Sequence, residues 1–208
     1  MTEQIEIGRV LRASTSGFVV GCRVNQLDVP AFGALVRAPL RPGYQVYGII
    51  QDIRIEDDGL VRQLITAENV SAEVVLDNRE RRIVPVEMSV IVVGYEQGGH
   101  IHHQLPPRPP LSLDLICLCD RNEVRTFTST GRFGYFRHLL RIPDLPVGEL
   151  LAAHISDARG AQEDPSRWSN AATQEIILLL RDDYPLLTSV LGALDQVMTP
   201  ESQNKSDA

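Results

Sequence analysis

The chain has almost no lysine: the only one among its 208 residues is Lys205, close to the C-terminus. A P-loop ATPase needs a lysine beside a glycine-rich loop, and Schiff-base chemistry needs a reactive lysine. The sequence also has no GxSxG, HExxH or GxGxxG motif and no paired CxxC. These absences exclude a P-loop ATPase and remove the common hydrolase, zinc-protease, dinucleotide-binding and zinc-ribbon interpretations. The sequence predicts no catalytic residue, no metal site and no cofactor.

Long apolar runs and an excess of positive charge are missing as well. No stretch approaches the roughly 20 apolar residues that cross a bilayer, and the first ten residues, MTEQIEIGRV, do not resemble a signal peptide. The net charge of -7 opposes a protein that coats nucleic acid or anionic membrane, although arginine patches leave direct contact with nucleic acid open. Three cysteines, Cys22, Cys117 and Cys119, fit a reducing compartment. We therefore expect a cytoplasmic protein without membrane contact.

The first 130 residues contain a series of short strand patterns at intervals of roughly ten residues, separated by Gly, Pro, Asn or Asp. Gly21, Gly48 and Gly94 stand inside these patterns, where glycine predicts bulges or bends that let a small sheet curl. We predict a small, closed or nearly closed antiparallel β-barrel over residues 1–130. The strand patterns are QIEIGRVLRA, SGFVVGCRV, ALVRAPL, QVYGIIQDI, RQLITAENV and SVIVVGYEQ.

A proline segment, QLPPRPPLS at residues 104–112, interrupts this pattern. Four prolines favour an extended conformation, so we interpret the segment as a rigid strap across the barrel rather than a ligand for a proline-recognising domain. The following LDLICLCDRNEVRTF predicts a last strand, a turn and a short strand.

From about Gly131 the pattern changes to helix. Four segments have apolar residues at helical spacing, and Asp164 with Pro165 predicts an N-cap and first turn. We predict a helical domain over residues 131–199, a disordered tail over 200–208 and an α+β fold overall. The helical segments are FGYFRHLLRI, PVGELLAAHISDAR, DPSRWSNAATQEIILLLRDD and DYPLLTSVLGALDQVM.

One group of residues has the side chains of a metal site: His100, His102 and His103, with Cys117 and Cys119 some fifteen residues later. A site with two histidines and two cysteines is possible if the two strands that carry them pair. The favoured interpretation is a solvated hairpin end followed by an apolar strand in which cysteine acts as a small hydrophobic residue.

Two acidic runs, IEDDG at 55–59 and RDDY at 181–184, suggest a carboxylate active site only if they converge in space. We interpret Asp57-Asp58-Gly59 as a hairpin turn and Asp182-Asp183 as a junction between helices before Pro185. Arginine-rich segments on an acidic chain, such as NRERRIVP and FRHLLR, favour ion-paired interfaces.

Four segments together resemble the HAS-barrel, the small N-terminal β-barrel of HerA-type hexameric DNA translocases and of rotary ATP-synthase catalytic subunits. They are IGRVLRASTSGFVVGC, FGALVRAPLRPGYQVYGIIQDI, VVGYEQGG and LPPRPPLSLDLICLCDRNEV, and the resemblance covers roughly residues 5–128. It implies a barrel that crowns a ring and helps subunits to associate. In that family a P-loop domain follows the barrel, whereas residues 131–208 here have no P-loop, so the ATPase activity does not carry over.

We therefore expect a non-enzymatic assembly or docking protein that self-associates or binds a protein partner, associated with HerA-type DNA-processing machinery. The alternative is a small metal-dependent enzyme that uses His100, His102 and His103 or the scattered carboxylates.

Overall fold

Seven β-strands and five α-helices occupy the described part of this computed structural model, which is residues 4–23, 30–55, 85–142 and 145–198. The strands are β1 Glu6–Ala13, β2 Gly17–Arg23, β3 Leu35–Arg41, β4 Tyr44–Ile55, β5 Pro85–Gln97, β6 His100–His102 and β7 Leu115–Leu118. The helices are α1 Arg121–Ser129, α2 Phe136–Leu139, α3 Val147–Arg159, α4 Pro165–Leu179 and α5 Tyr184–Met198, with a 3-10 turn at Gly131–Phe133.

Six of the strands form a closed antiparallel barrel. The hydrogen-bonded order is β2-β1-β7-β3-β4-β5, and β5 pairs back with β2, which completes the ring. Alternate side chains point inward and fill the interior, as expected for a small barrel. This closure confirms the predicted β-barrel and the α+β class. The interior residues include Ile7, Phe18, Val36, Ile50, Met88, Val90 and Ile116.

Two of the predicted strand glycines lie at a bulge between β4 and β5. Tyr47 is opposite Gly94 while Gly48 is opposite Val92, so one residue of β5 has no partner in the ladder. A β-carbon on Gly48 would meet the side chain of Val90 and lie 2.9 Å from the carbonyl oxygen of Ile91. The strand therefore bends at the point where only glycine fits.

The proline segment joins opposite walls of the barrel. The segment begins after β6, which pairs with β5, and it ends at β7. Strand β7 lies opposite β5 in the barrel, three strands away in either direction around the ring. Pro106 and Pro110 are buried, and Arg108 lies beside the hydroxyl of Tyr44 in the β3–β4 hairpin. This path agrees with the interpretation of the segment as a strap.

The prediction of a short strand within RNEVRTF is wrong, because these residues form helix α1. Asp120 is the N-cap: its side chain accepts a hydrogen bond from the amide of Glu123, and the Glu123 carboxylate accepts one from the amide of Asp120. This reciprocal capping box satisfies two amides that a helix start leaves unpaired, and it outweighs the modest strand preference of Val124 and Phe127.

The remaining helices follow the predicted segments. Asp164 caps α4 by accepting from the amide of Arg167, and Pro165 is in the first turn, as expected. The predicted strand RQLITAENV, the tail 200–208 and the arginine-rich NRERRIVP, apart from its final Pro85, lie outside the described residues. The division into units at 130 and 131 stays a prediction.

The helices pack against one outer wall of the barrel. Leu35 on β3, Tyr47 and Ile49 on β4, and Ile91 and Val93 on β5 point outward into a second core. That core is completed by residues of all five helices and the 3-10 turn, including Phe127, Phe133, Tyr135, Phe136, Leu150, Ile155, Ile176 and Leu194. Burial of these outward residues means that the barrel wall and the helices share this second core, beside the separate core inside the barrel.

We predict that Gly48→Ala lowers the free energy of unfolding by about 1–3 kcal/mol, because its β-carbon displaces Val90 and the Ile91 carbonyl. The measurement is urea denaturation followed by circular dichroism. Gly192→Ala is the matched control: Gly192 is within α5 with open space around its α-carbon, so alanine should stabilise by up to about 1 kcal/mol. Equal stability of the Gly48→Ala variant and the wild type would contradict the bend.

Candidate functional site

Two buried histidines lie where the helices meet the barrel. Among the described residues, His103, Thr128, His154 and Ser169 are the polar side chains that lie almost out of contact with solvent. Burial of a polar group is costly unless it is hydrogen-bonded. Thr128 and Ser169 bond within the helical region, so the partners of the two histidines show how the layers are joined.

His154 on α3 bridges the barrel and the helices. Its Nδ1 lies 3.0 Å from the carbonyl oxygen of Gly33, and its Nε2 lies 3.0 Å from the hydroxyl of Tyr135. Burial lowers the pKa of His154 to about 4, so the imidazole is neutral at pH 7. A carbonyl oxygen only accepts, so Nδ1 carries the single proton, and Nε2 accepts from the tyrosine hydroxyl.

The approach of α3 to the barrel depends on Gly33. Its φ is +85°, and a β-carbon there would lie 2.7 Å from the amide nitrogen of His154. Glycine is the residue that tolerates both the positive φ and the close contact. Gly33 thus places its carbonyl oxygen within reach of the imidazole.

His103 fills a second polar position in the same interface. Its Nε2 lies 3.1 Å from the carbonyl oxygen of Phe127, and its ring packs on the rings of Phe127 and Tyr135 at centroid distances of 4.7 and 5.0 Å. Burial lowers the pKa of His103 to about 4. The carbonyl oxygen of His103 accepts from the Arg137 guanidinium, so both the side chain and the backbone of this residue hold helical segments.

The three histidines considered as metal ligands do not form one cluster. His100 is exposed at the hairpin, the ring of His102 stacks on Tyr95 at 4.8 Å, and His103 is buried. The metal arrangement with Cys117 and Cys119 requires β6 to pair with the strand that carries them. Instead β6 pairs with β5, and β7 pairs with β1 and β3. Within the described ranges, no three His, Cys, Asp or Glu side chains come together as metal ligands.

Cys117 and Cys119 both make contacts that stabilise the fold. Cys117 accepts a hydrogen bond from the Gln4 amide at 2.7 Å, and Cys119 belongs to the core between barrel and helices. Burial raises the pKa of both thiols, which disfavours the reactive thiolate.

An ion pair reinforces the start of α1. Arg37 on β3 places its Nε 2.6 Å from Oε1 of Glu123, and the other carboxylate oxygen of Glu123 completes the capping box with Asp120. The Arg37 side chain is only 14% exposed. Because burial strengthens an ionic interaction and makes its loss expensive, Glu123 couples a barrel strand to the first helix.

A chain of hydrogen bonds continues from Arg37 across the barrel wall. Arg37 donates to Gln45, and the Gln45 amide donates to the hydroxyl of Tyr47 and to Glu96, each at 2.7 Å. Tyr47 also donates to Glu96 at 3.1 Å. These contacts tie β3, β4 and β5 together on the face that the helices cover.

The acidic residues of the run RDDY have local structural roles. Asp183 caps α5 by accepting from the amide of Leu186, and Asp182 pairs with Arg181 at 3.2 Å, so these two residues form the junction that was expected. Asp57 and Asp58 lie outside the described residues.

The end of α4 carries an exposed apolar surface. Of the run IILLL, Ile176 and Leu180 are buried, whereas Ile177, Leu178 and Leu179 are exposed, Leu178 by 57%. Tyr184 at the start of α5 is 76% exposed. We call Ile177, Leu178, Leu179 and Tyr184 the α4–α5 corner.

Sequence reasoning missed the joint formed by His154, Tyr135 and Gly33. No local motif marks it, since its three members come from separate parts of the chain. The capping box of α1 did have a signal, because Asp120 and Glu123 have the spacing of an N-cap and its N3 acid.

Comparison with protein-family profiles and with curated protein sequences found no match to this chain. None of the helices in the described ranges is long and apolar enough to cross a bilayer.

We predict that stability falls as the pH drops from about 6.5 to 4. The unfolded state binds protons on His103 and His154 in this range, whereas the folded state keeps both neutral until about pH 4. The contribution of these two histidines to the free energy of unfolding is therefore fully present above pH 6.5 and is lost as the pH falls through this window. For the fully buried His154 the loss is on the order of 3 kcal/mol.

The measurement is urea denaturation at intervals between pH 7 and pH 4. The decrease in the free energy of unfolding between pH 7 and pH 4 should be smaller for His154→Gln than for the wild type. His100→Gln, at an exposed position, should have the same dependence of stability on pH as the wild type. Parallel profiles of wild type and His154→Gln would show that His154 is not the group that titrates.

We predict that Glu123→Gln costs about 2 kcal/mol, because it leaves the largely buried Arg37 without a counter-charge. Glutamine still accepts at the N3 position, so the capping bond remains and the change isolates the charge. The matched control is Glu163→Gln, which removes a carboxylate 85% exposed to solvent and should cost less than about 0.5 kcal/mol. Equal losses in thermal denaturation would contradict the coupling.

Proposed function

We propose that this protein is a non-enzymatic assembly protein whose copies associate through the α4–α5 corner. The exposure of Ile177, Leu178 and Leu179 is the observation that carries the proposal. Helix α4 spans 15 residues yet buries only Ser169, Ala172 and Ile176, so it packs through one narrow stripe and leaves most of its circumference uncovered. A helix that serves only its own core does not need three large apolar residues in its exposed last turn.

Burial of the exposed apolar side chains at this corner favours association. Full burial of one aliphatic side chain contributes about 1.5–3 kcal/mol, and a two-fold interface counts each residue twice. Persistent interfaces bury more than about 1,000 Å², with an apolar centre and a polar rim. Tyr184 beside the three aliphatic residues supplies the aromatic group that often dominates such a centre.

The rim of the corner favours a second copy of this chain as the occupant. Glu175, Arg181 and Asp182 place both signs of charge around the apolar residues, and Arg181 and Asp182 form an ion pair that is mostly exposed. In a two-fold interface the same patch faces itself, so charges of both signs allow each arginine to meet a carboxylate of the other copy.

The barrel supports a role in a larger assembly. Its resemblance to HAS-barrels leads us to propose association with HerA-type DNA-processing machinery. The helices cover the outer wall formed by β3, β4 and β5, while the turn next to β1 exposes Leu111 and Leu113. The protein thus offers a barrel surface as well as the helical corner to its neighbours.

We predict that light scattering after size exclusion gives a mass of at least twice 23.1 kDa at micromolar concentration. The double variant Ile177→Asp with Leu178→Asp should elute as a monomer, because two carboxylates in an apolar interface are costly to desolvate. The matched control is Leu111→Asp with Leu113→Asp, which adds the same charge at another exposed apolar position and should remain associated.

A 23.1 kDa wild-type monomer across concentration and salt would contradict self-association. Dissociation of the Leu111 and Leu113 variant, with the α4 variant still associated, would contradict the choice of the corner and place the interface on the barrel.

A further inference from the structure

A groove separate from the α4–α5 corner runs between α1, the 3-10 turn and the beginning of α4. Its volume is about 770 Å³, within the range that small-molecule sites occupy. Three arginines from three different segments line it: Arg125 from α1, Arg132 from the turn and Arg167 from α4. Phe133 and Trp168 form an aromatic part of the lining.

Two of these arginines have no ion-pair partner in the part of the chain that the structure describes. Arg125 pairs with Glu163 at 2.8 Å, and Asp164 is occupied as the cap of α4, but no carboxylate neutralises Arg132 or Arg167. The chain as a whole has a net charge of -7, so carboxylates are plentiful elsewhere. Two unpaired guanidinium groups in one groove of an acidic protein indicate an anionic ligand.

The backbone that carries Arg132 is strained. Gly131, Arg132 and Phe133 have φ values of 60°, 47° and 57°, so two residues with side chains occupy the left-handed region. Such a conformation persists only where the surroundings impose it, and it is concentrated at functional sites. The turn is held by aromatic packing: Phe133 stacks on Phe136 at 5.3 Å and meets Trp168 edge-on at 5.4 Å.

The indole ring of Trp168 contributes an apolar surface to the groove beside the arginines. Its N–H is shielded from solvent and has no acceptor among the described residues.

We propose that this groove binds the phosphate group of a small molecule. A carboxylate has two oxygens, enough for one arginine fork, whereas a phosphate has enough oxygens for the forks of both Arg132 and Arg167. The net charge of -7 disfavours a long polyanion, so the ligand is a small phosphorylated compound and not a nucleic acid strand.

The test is isothermal titration with pyrophosphate as the probe. Wild type should bind one equivalent, and the double variant Arg132→Gln with Arg167→Gln should bind about tenfold more weakly or worse, since charged hydrogen bonds are lost. The matched control, Arg12→Gln with Arg54→Gln, removes two exposed arginines of the barrel and should stay within about twofold of wild type.

A second variant separates binding from folding. Arg132→Gly should raise the midpoint of thermal unfolding, because glycine tolerates positive φ, and should also weaken pyrophosphate binding. Absence of pyrophosphate binding to wild type, or equal weakening in the barrel control, would overturn the proposal. Displacement of pyrophosphate by a tighter-binding oligothymidylate would also overturn it and would assign the groove to nucleic acid.

Discussion

A neutral imidazole, buried between a barrel carbonyl and a helix hydroxyl, joins the two layers of this protein. The pKa of His154 is lowered to about 4, so the ring is neutral at pH 7; its Nδ1 donates to the carbonyl oxygen of Gly33 and its Nε2 accepts from the hydroxyl of Tyr135. The surrounding rings and aliphatic side chains exclude water, so neither bond can be replaced by solvent. The rest of the helical layer depends on this contact, since α3 packs on both the barrel and α5.

The position of the α4–α5 corner follows from that joint. Helix α4 has a narrow buried stripe of its own, and it is held through α3, α5 and the aromatic group around Trp168. A rigid support keeps exposed apolar residues in one arrangement, which lowers the entropy that association must overcome. The same support fixes the strained turn at Arg132. Both proposed surfaces are therefore consequences of how the helices sit on the barrel wall.

Sequence patterns predicted the elements better than the contacts between them. The barrel strands were visible because alternation, turn residues and interior glycines such as Gly48 act locally. Helix α1 was missed because Val124 and Phe127 follow an apolar strand closely, while the deciding interaction was the Asp120–Glu123 cap. The proximity of His100, His102 and His103 in sequence suggested a possible metal site. In the structure, His103 is buried against the helices, whereas His100 is exposed to solvent. Pairing between distant strands and the packing of α3 on Gly33 are long-range events that no local pattern encodes.

Hydrogen exchange measured by mass spectrometry, under native conditions with increasing urea, tests most directly whether barrel and helices form one structural unit. If the His154 joint and the shared core unite the layers, amides of β4 and of α3 exchange through one global opening with the same free energy. Protection in α3 and α5 that is lost several kcal/mol below that of β4 would show that the helices detach independently. That result would contradict the central claim that the barrel wall holds the helical surfaces in place.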